Sequence, residues 1–219
     1  MITKELSSNN FNCKITKVDT KIIEKFVKKI DNQYIVNESN KENLSFVLNI
    51  SKKLKLNKDS TIRTIQNFKG LNYRQQIIFK KKKLTVINDS KSTSFSASIG
   101  LLKINSNILW LLGGIYKKGD QFNLSKKYCS NIRAFIYGKN KNFFNKKLAG
   151  KIKYQNFDNL RDALKKVITI IKKDKLLDRT ILFNPSAASF DSFKNFEDRG
   201  LYFNNLIKKY LNGKQKINI

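Results

Sequence analysis

The sequence contains no histidine. Every histidine general base, the Ser-His-Asp arrangement and the two-histidine metal motifs are therefore excluded. Cysteine is almost as scarce. Cys13 and Cys129 stand far apart with no histidine to join them, so neither a zinc site nor a disulfide framework is expected. No apolar run approaches the roughly 20 residues of a membrane span, and residues 1–5 lack the apolar core of a signal peptide. The expected location is the cytoplasm, with no membrane partner. Three Gly-Lys pairs, at 138, 150 and 213, are not followed by Ser or Thr, so no Walker-type phosphate loop is present. No paired-carboxylate Mg²⁺ site stands out, and no metal ligand is assigned.

Acidic residues are few: 16 against 45 Lys and Arg, a net charge of +29. Such a balance invites a nucleic-acid reading. The lysines recur as doublets along the whole chain, however, at helix-surface spacing between apolar positions. They read as solvated faces, and nucleic acid is not the expected partner. With 40% hydrophobic residues and 16 Phe in 219 residues, the chain has material for a packed core and is not a disordered tail.

The segment at 87–94, Ile-Asn-Asp-Ser-Lys-Ser-Thr-Ser, follows the apolar run 84–87 and precedes a helical pattern near 95–102. A strand that delivers Asp89, Lys91 and hydroxyls into a turn before a helix is what an anion site on an α/β sheet requires. A polar loop with a Ser/Thr N-cap satisfies the same local pattern.

Upstream, residues 12–18 read as a strand, 20–30 as an amphipathic helix and 34–36 as an extended piece. A helix is expected from Asn40, its N-cap, with Leu44, Val47, Leu48 and Leu54 on one face, and another over 60–68, stopping at Gly70. Strands at 75–79 and 84–87 flank a basic turn at 80–83. Strands and helices then alternate. Strands at 108–112, 132–137, 151–154 and 180–183 are separated by helices near 124–129 and 160–171, and a last helix ends near Leu211. Short apolar strands in such alternation predict an α/β fold, a mainly parallel sheet with helices on both faces. Two more strands also end in polar groups, at Gly113-Gly114-Ile115-Tyr116-Lys117 and at Asn184-Pro185-Ser186-Ala187-Ala188-Ser189. In a parallel sheet these ends share one edge, which gathers Asp89, Lys91, Thr93, Lys117 and Ser189.

At these residues a resemblance is visible. Gly70-Leu71-Asn72-Tyr73-Arg74, Asn88-Asp89-Ser90-Lys91-Ser92-Thr93, Leu111-Leu112-Gly113-Gly114 with Lys117, and the long block at 186–200 occur in this order. Together they resemble the C-terminal part of the Mur ligases, which add amino acids to the peptidoglycan precursor, and within them the D-glutamate-adding members. The resemblance covers about residues 37–212. It implies a remnant of the central ATP-binding domain at 1–70 and a Rossmann-like C-terminal domain at 71–219.

It further implies ATP and Mg²⁺ as cofactors and D-glutamate and UDP-N-acetylmuramoyl-L-alanine as substrates. Thr93 and Lys117 would hold one D-glutamate carboxylate, and Ser189 with backbone around Phe190 and Phe196 the other. Arg74, Asp89 and Lys91 would meet the nucleotide, and Asn43 matches an asparagine near the adenine. The family's phosphate loop, metal-binding groups and modified lysine lie ahead of this region and are absent here. Ser39-Asn40 replaces the usual His-Asn, and Asn72-Tyr73 the usual Pro-His. The chain is therefore expected to be a fragment or half of a split enzyme, inactive alone, with a separate chain as the partner that reading admits. The alternative is a non-catalytic basic module descended from the ligase, binding nucleic acid or protein.

Overall fold

A computed structural model of the chain describes residues 38–81, 83–173 and 178–212, together with Val18, Ile23, Ile30, Asn32 and Tyr34. The chain divides into two compact units, Met1–Phe68 and Lys69–Ile219. The strand expected at 12–18, the helix at 20–30 and the extended piece at 34–36 fall, apart from isolated positions, outside the described residues. No helix among the described residues is long and apolar enough to cross a membrane.

In the first unit, helices α1 (Glu38–Lys53) and α2 (Lys58–Gln66) meet through Leu44, Leu48 and Ile65, joined by Ile30. The i, i+4 pair on α1 is the buried seam. Val47 is exposed, and Leu54, 64% exposed, lies beyond the helix end, so the expected four-residue face narrows to two. Asn40 is inside α1 rather than its N-cap, and its amide donates to the Tyr34 carbonyl. Helix α2 starts earlier than expected because extended Asn57 caps it, accepting from Ser60 N at 2.9 Å. At its other end the Asn32 amide donates to the Ile65 and Phe68 carbonyls at 2.8 and 2.9 Å, satisfying groups that the last turn leaves open.

The second unit is a six-stranded sheet in the order β1-β2-β6-β3-β4-β5. Its strands are β1 (Gln76–Lys81), β2 (Leu84–Asn88), β3 (Ile108–Gly113), β4 (Ile132–Tyr137), β5 (Lys153–Phe157) and β6 (Arg179–Phe183). Only the β1–β2 pairing is antiparallel. Period-2 alternation sends Val86, Leu109, Leu111, Ile181 and Phe183 to one face, against α6 (Leu160–Lys173) and α7 (Phe196–Asn212). Ile87, Trp110, Leu112, Ile136 and Leu182 face α3 (Phe95–Ile104), α4 (Lys126–Cys129) and α5 (Lys141–Leu148). Burial on both sides is why β3 is apolar throughout.

Three boundaries differ from the sequence reading. Lys80 and Lys81 extend β1 instead of turning, because an edge strand leaves their ammonium groups in water. Helix α4 shrinks to a single turn. β5 begins later because Lys151 and Ile152 still bond back to the Leu148 carbonyl that ends α5.

Candidate functional site

Because β6 lies between β2 and β3, the three polar strand ends are neighbours: Asn88 and Leu111 both pair with Phe183. Backbone bonds continue past the strands, from Asp89 N to Phe183 O (2.7 Å), Asn184 N to Leu111 O (3.2 Å) and Gly113 N to Pro185 O (3.1 Å). The breaks are thus joined into one edge at the carboxyl ends, where open α/β sheets bind ligands.

Asn184 is the hub of this edge, although the sequence reading saw it only as part of a break. It is fully buried. Its Nδ2 donates to Asp89 Oδ2 at 2.8 Å, its Oδ1 accepts from the Ser98 and Ser186 hydroxyls, and its carbonyl accepts from Trp110 Nε1 at 2.8 Å. Asp89 Oδ1 accepts from Gln75 N at 3.1 Å. That amide belongs to a strap at 70–75 in which Tyr73 and Gln75 take left-handed backbone angles, φ 60° and 51°. Tyr73 O accepts from Lys91 N at 3.0 Å, and a Cβ on Gly200 would lie 2.4 Å from the Tyr73 ring, so that glycine is what lets the strap close on α7. Arg74 is exposed on the strap.

Burial pushes the Asp89 carboxyl up to about 6, with the Gln75 amide, Asn184 and the Arg74 charge pulling the other way. A raised carboxyl holds its proton in the folded state at pH values where the unfolded chain has lost it. Stability from this group is therefore full below about pH 4 and falls as pH rises toward about 6, by roughly 2–3 kcal/mol. Asp89→Asn should remove that slope. The urea stability of the native chain minus that of the variant should decline between pH 4 and 6.5 and level off above. A difference flat across the whole range would show that Asp89 titrates as an ordinary carboxylate.

Arg199 is the second residue to which the sequence reading gave no role. It is 1% exposed and donates from Nε to Ser90 Oγ (3.1 Å) and from Nη2 to the Ser90 and Ala187 carbonyls (2.7 and 3.0 Å). One guanidinium thus ties α7 to the loops after β2 and β6. A signal was present: Arg199 sits at apolar-stripe spacing with Phe196, Phe203 and Leu206. Asn88 reinforces the joint through Gly200 O (2.9 Å) and Asn204 Oδ1 (2.7 Å). Phe196 opens α7 behind the cap Asn195, whose Oδ1 accepts from Asp198 N at 2.7 Å. The Phe196 carbonyl accepts from Ser90 Oγ at 2.8 Å, and its ring lies under Lys91, with Nζ 4.1 Å from the centroid.

The loops after β3 and β6 are clasped by a two-bond bridge between Ile115 and Ala188, at 2.9 and 2.8 Å. Lys117 is exposed two residues past the bridge, while Ser189, one residue past it on the other arm, is buried. The Ser189 carbonyl accepts from Ser192 N and Phe193 N (3.2 and 3.0 Å), and Phe190, 70% exposed, projects from that turn. Thr93 is exposed just before Ser94, the N-cap of α3. The edge therefore gathers Arg74, Asp89, Lys91, Thr93, Lys117, Ser189 and Phe196. Asn43 is exposed on α1, in the other unit.

Two ammonium groups, a guanidinium, hydroxyls and the amide end of α7 suit carboxylate or phosphate oxygens. The donor set does not suit a metal. Among the described residues no three carboxylate, thiolate or imidazole groups converge, so the residues present do not fit a Mg²⁺ site of their own.

No family model matches the chain. UDP-N-acetylmuramoylalanine–D-glutamate ligase from Francisella tularensis subsp. tularensis (strain WY96-3418) is 35% identical over 174 residues, 78% of this chain and 41% of its own length. The ligase of the same name from subsp. mediasiatica (strain FSC147) is 36% identical over the same span. The chain thus spans about two-fifths of the length of the curated relatives it matches. The crystal structure of UDP-N-acetylmuramate-alanine ligase MurC from Thermotoga maritima shares the fold, with a TM-score of 0.57 over 81% of this chain and 39% of that one, at 16% identity. Over 78% of its residues the chain is thus similar in sequence to enzymes of the Mur ligase family, at the level the Francisella enzymes show.

Proposed function

We propose that this chain is the C-terminal, D-glutamate-binding and nucleotide-closing part of the ATP-dependent ligase that joins D-glutamate to UDP-N-acetylmuramoyl-L-alanine. The observation that carries the reading is the single sheet edge on which the Thr93, Lys117 and Ser189 segments meet, in a chain 35% identical to enzymes named for D-glutamate. In this reaction ATP supplies the phosphoryl group that activates the precursor's carboxylate, and the D-glutamate amine then displaces it.

The chain's own part is to hold a dianionic amino acid so that its amine points outward at the acyl carbon. Lys117 and Thr93 bind one carboxylate. Ser189 and the backbone around Phe190 and Phe196 bind the other, where the α7 N-terminus favours negative charge. Arg74 and Lys91 meet the nucleotide when the enzyme closes, Asp89 holds the Gln75 amide beside them, and Asn43 serves the adenine. With no phosphate loop in its sequence and no Mg²⁺ donor set among the described residues, the chain by itself is expected not to turn over ATP.

Removing the ammonium that pairs with a carboxylate costs about 1.5–3 kcal/mol, or roughly 10- to 100-fold in affinity. Lys117→Ala should weaken D-glutamate binding by that factor in amide-shift titrations of the chain, while shifts caused by an ATP analogue stay unchanged. L-glutamate should bind more weakly than D-glutamate to the native chain. A native chain whose amides ignore D-glutamate, or a variant that loses both ligands equally, overturns the assignment.

A further inference from the structure

The D-glutamate reading requires Lys117 and Thr93, which come from different loops, to stand at a set distance. Neither side chain is packed in the core, since both residues are exposed. Their spacing must therefore come from the backbone, and one residue grips the backbone of both loops.

Asp120 closes the turn that begins at Lys117: its N–H donates to the Lys117 carbonyl at 3.1 Å, with Gly119 in the left-handed region at φ 80°. Its Oδ2 accepts from the backbone N–H of Phe95 at 2.7 Å. Phe95 is the first residue of α3 and follows Thr93 by two positions. A carboxylate at that N-terminus is favoured by the helix dipole and takes up an amide the helix leaves open. Asp120 is thus bonded to the main chain of Lys117 and, through Phe95, to the turn that carries Thr93.

Both ends of this link are anchored. Phe95 is fully buried and packs edge-on against Phe122 and Phe144, with centroids 5.3 and 5.9 Å apart. On the loop side, the Tyr116 ring stacks on Phe143 at 4.0 Å and 8°, and Phe143 in turn lies nearly parallel to Phe95 at 6.1 Å. The residue immediately before Lys117 is therefore held by an aromatic column that ends on the same phenylalanine.

We propose that Asp120 is a positioning residue that presets the Lys117–Thr93 carboxylate clamp by tying the Lys117 turn to the N-terminus of α3. The proposal rests on the D-glutamate reading, but the link has a readout of its own.

In the full chain, Asp120→Ala should weaken D-glutamate binding at least about tenfold. Asp120→Asn keeps an acceptor oxygen for the Phe95 amide and should stay within about threefold of the native chain. Amide relaxation should show the backbone at 115–119 becoming mobile in Asp120→Ala without ligand, and Phe95 N–H should exchange faster. A native chain that ignores D-glutamate defeats the functional reading, and the relaxation data then still decide whether the link holds the loop. If D-glutamate binds the native chain and Asp120→Ala alike, or if the 115–119 backbone stays rigid in that variant, the proposal is wrong. If Asp120→Ala fails to fold, the Asp120→Asn titration against Tyr116→Ala serves instead. Tyr116→Ala removes the aromatic support but leaves the Asp120 link, so the Phe95 amide should stay protected and the 115–119 backbone tied, and a loop set free there counts equally against the proposal.

Discussion

Arg199→Met should lower the stability of the Lys69–Ile219 unit by about 3–5 kcal/mol in urea unfolding. Methionine fills much of the same volume but donates nothing, so the loss falls on what Arg199 bonds. The Ser90 and Ala187 carbonyls and the Ser90 hydroxyl lose their guanidinium donor in a region closed to water. Each buried acceptor left without a partner costs about 1–3 kcal/mol. Arg199→Lys should recover little, because a single ammonium cannot span acceptors that the planar fork reaches together. A midpoint shift in Arg199→Met equivalent to less than 1 kcal/mol would mean that α7 and the two loops hold their places without it.

Gly114→Ala should do comparable damage by a different route. Gly114 has φ 129°, a left-handed-side angle that side chains resist, and a Cβ there would lie 2.3 Å from the Ala188 carbonyl oxygen. That oxygen accepts from Ile115 N in the bridge that clasps the Lys117 and Ser189 loops. Backbone cannot swing aside as a side chain can, so the bridge must open. A loss of about 3 kcal/mol and D-glutamate binding weakened beyond that of Lys117→Ala are expected, since both arms of the clasp move. Gly138→Ala is the control. A Cβ at Gly138, φ 90°, meets only the Asp191 carboxylate, at 3.2 Å, and a side chain can yield. It should cost about 1 kcal/mol. If the two alanines behave alike, the cost at Gly114 is torsional and the bridge survives.

Much of this edge was legible in the sequence because its signals are local. A strand buried on both faces must be apolar, and it must turn polar where it emerges, so the breaks after 87, 112 and 183 announce themselves. Parallel pairing then follows from the alternation with helices. Asn184 and Arg199 were not legible in the same way. Their importance comes from hydrogen bonds to residues 95 and 109 positions away, and nothing beside them in sequence shows that pairing. Asp120 was hidden for a related reason: an acid after Lys-Gly reads as a solvated turn until the N-terminus of α3 is laid beside it. The errors in α1 and β1 arose where burial depends on the partner's extent. Val47 and Leu54 have helical spacing but no described residue buries them, and Lys80 and Lys81 fit a strand because that strand is an edge.

Trp110 is the single tryptophan of the chain, and its indole is fully buried with its N–H held by the Asn184 carbonyl. Asn184 also holds Asp89, and Phe95, the anchor of the Lys117 turn, lies 6.3 Å from the indole ring. The protein therefore carries an intrinsic fluorophore wired to both halves of its binding edge. Emission from Trp110 should be blue in the resting state. Quenching or a red shift as Asp89 ionises, or as an amino acid binds beside the 113–120 loop, would register each event optically, with no label attached.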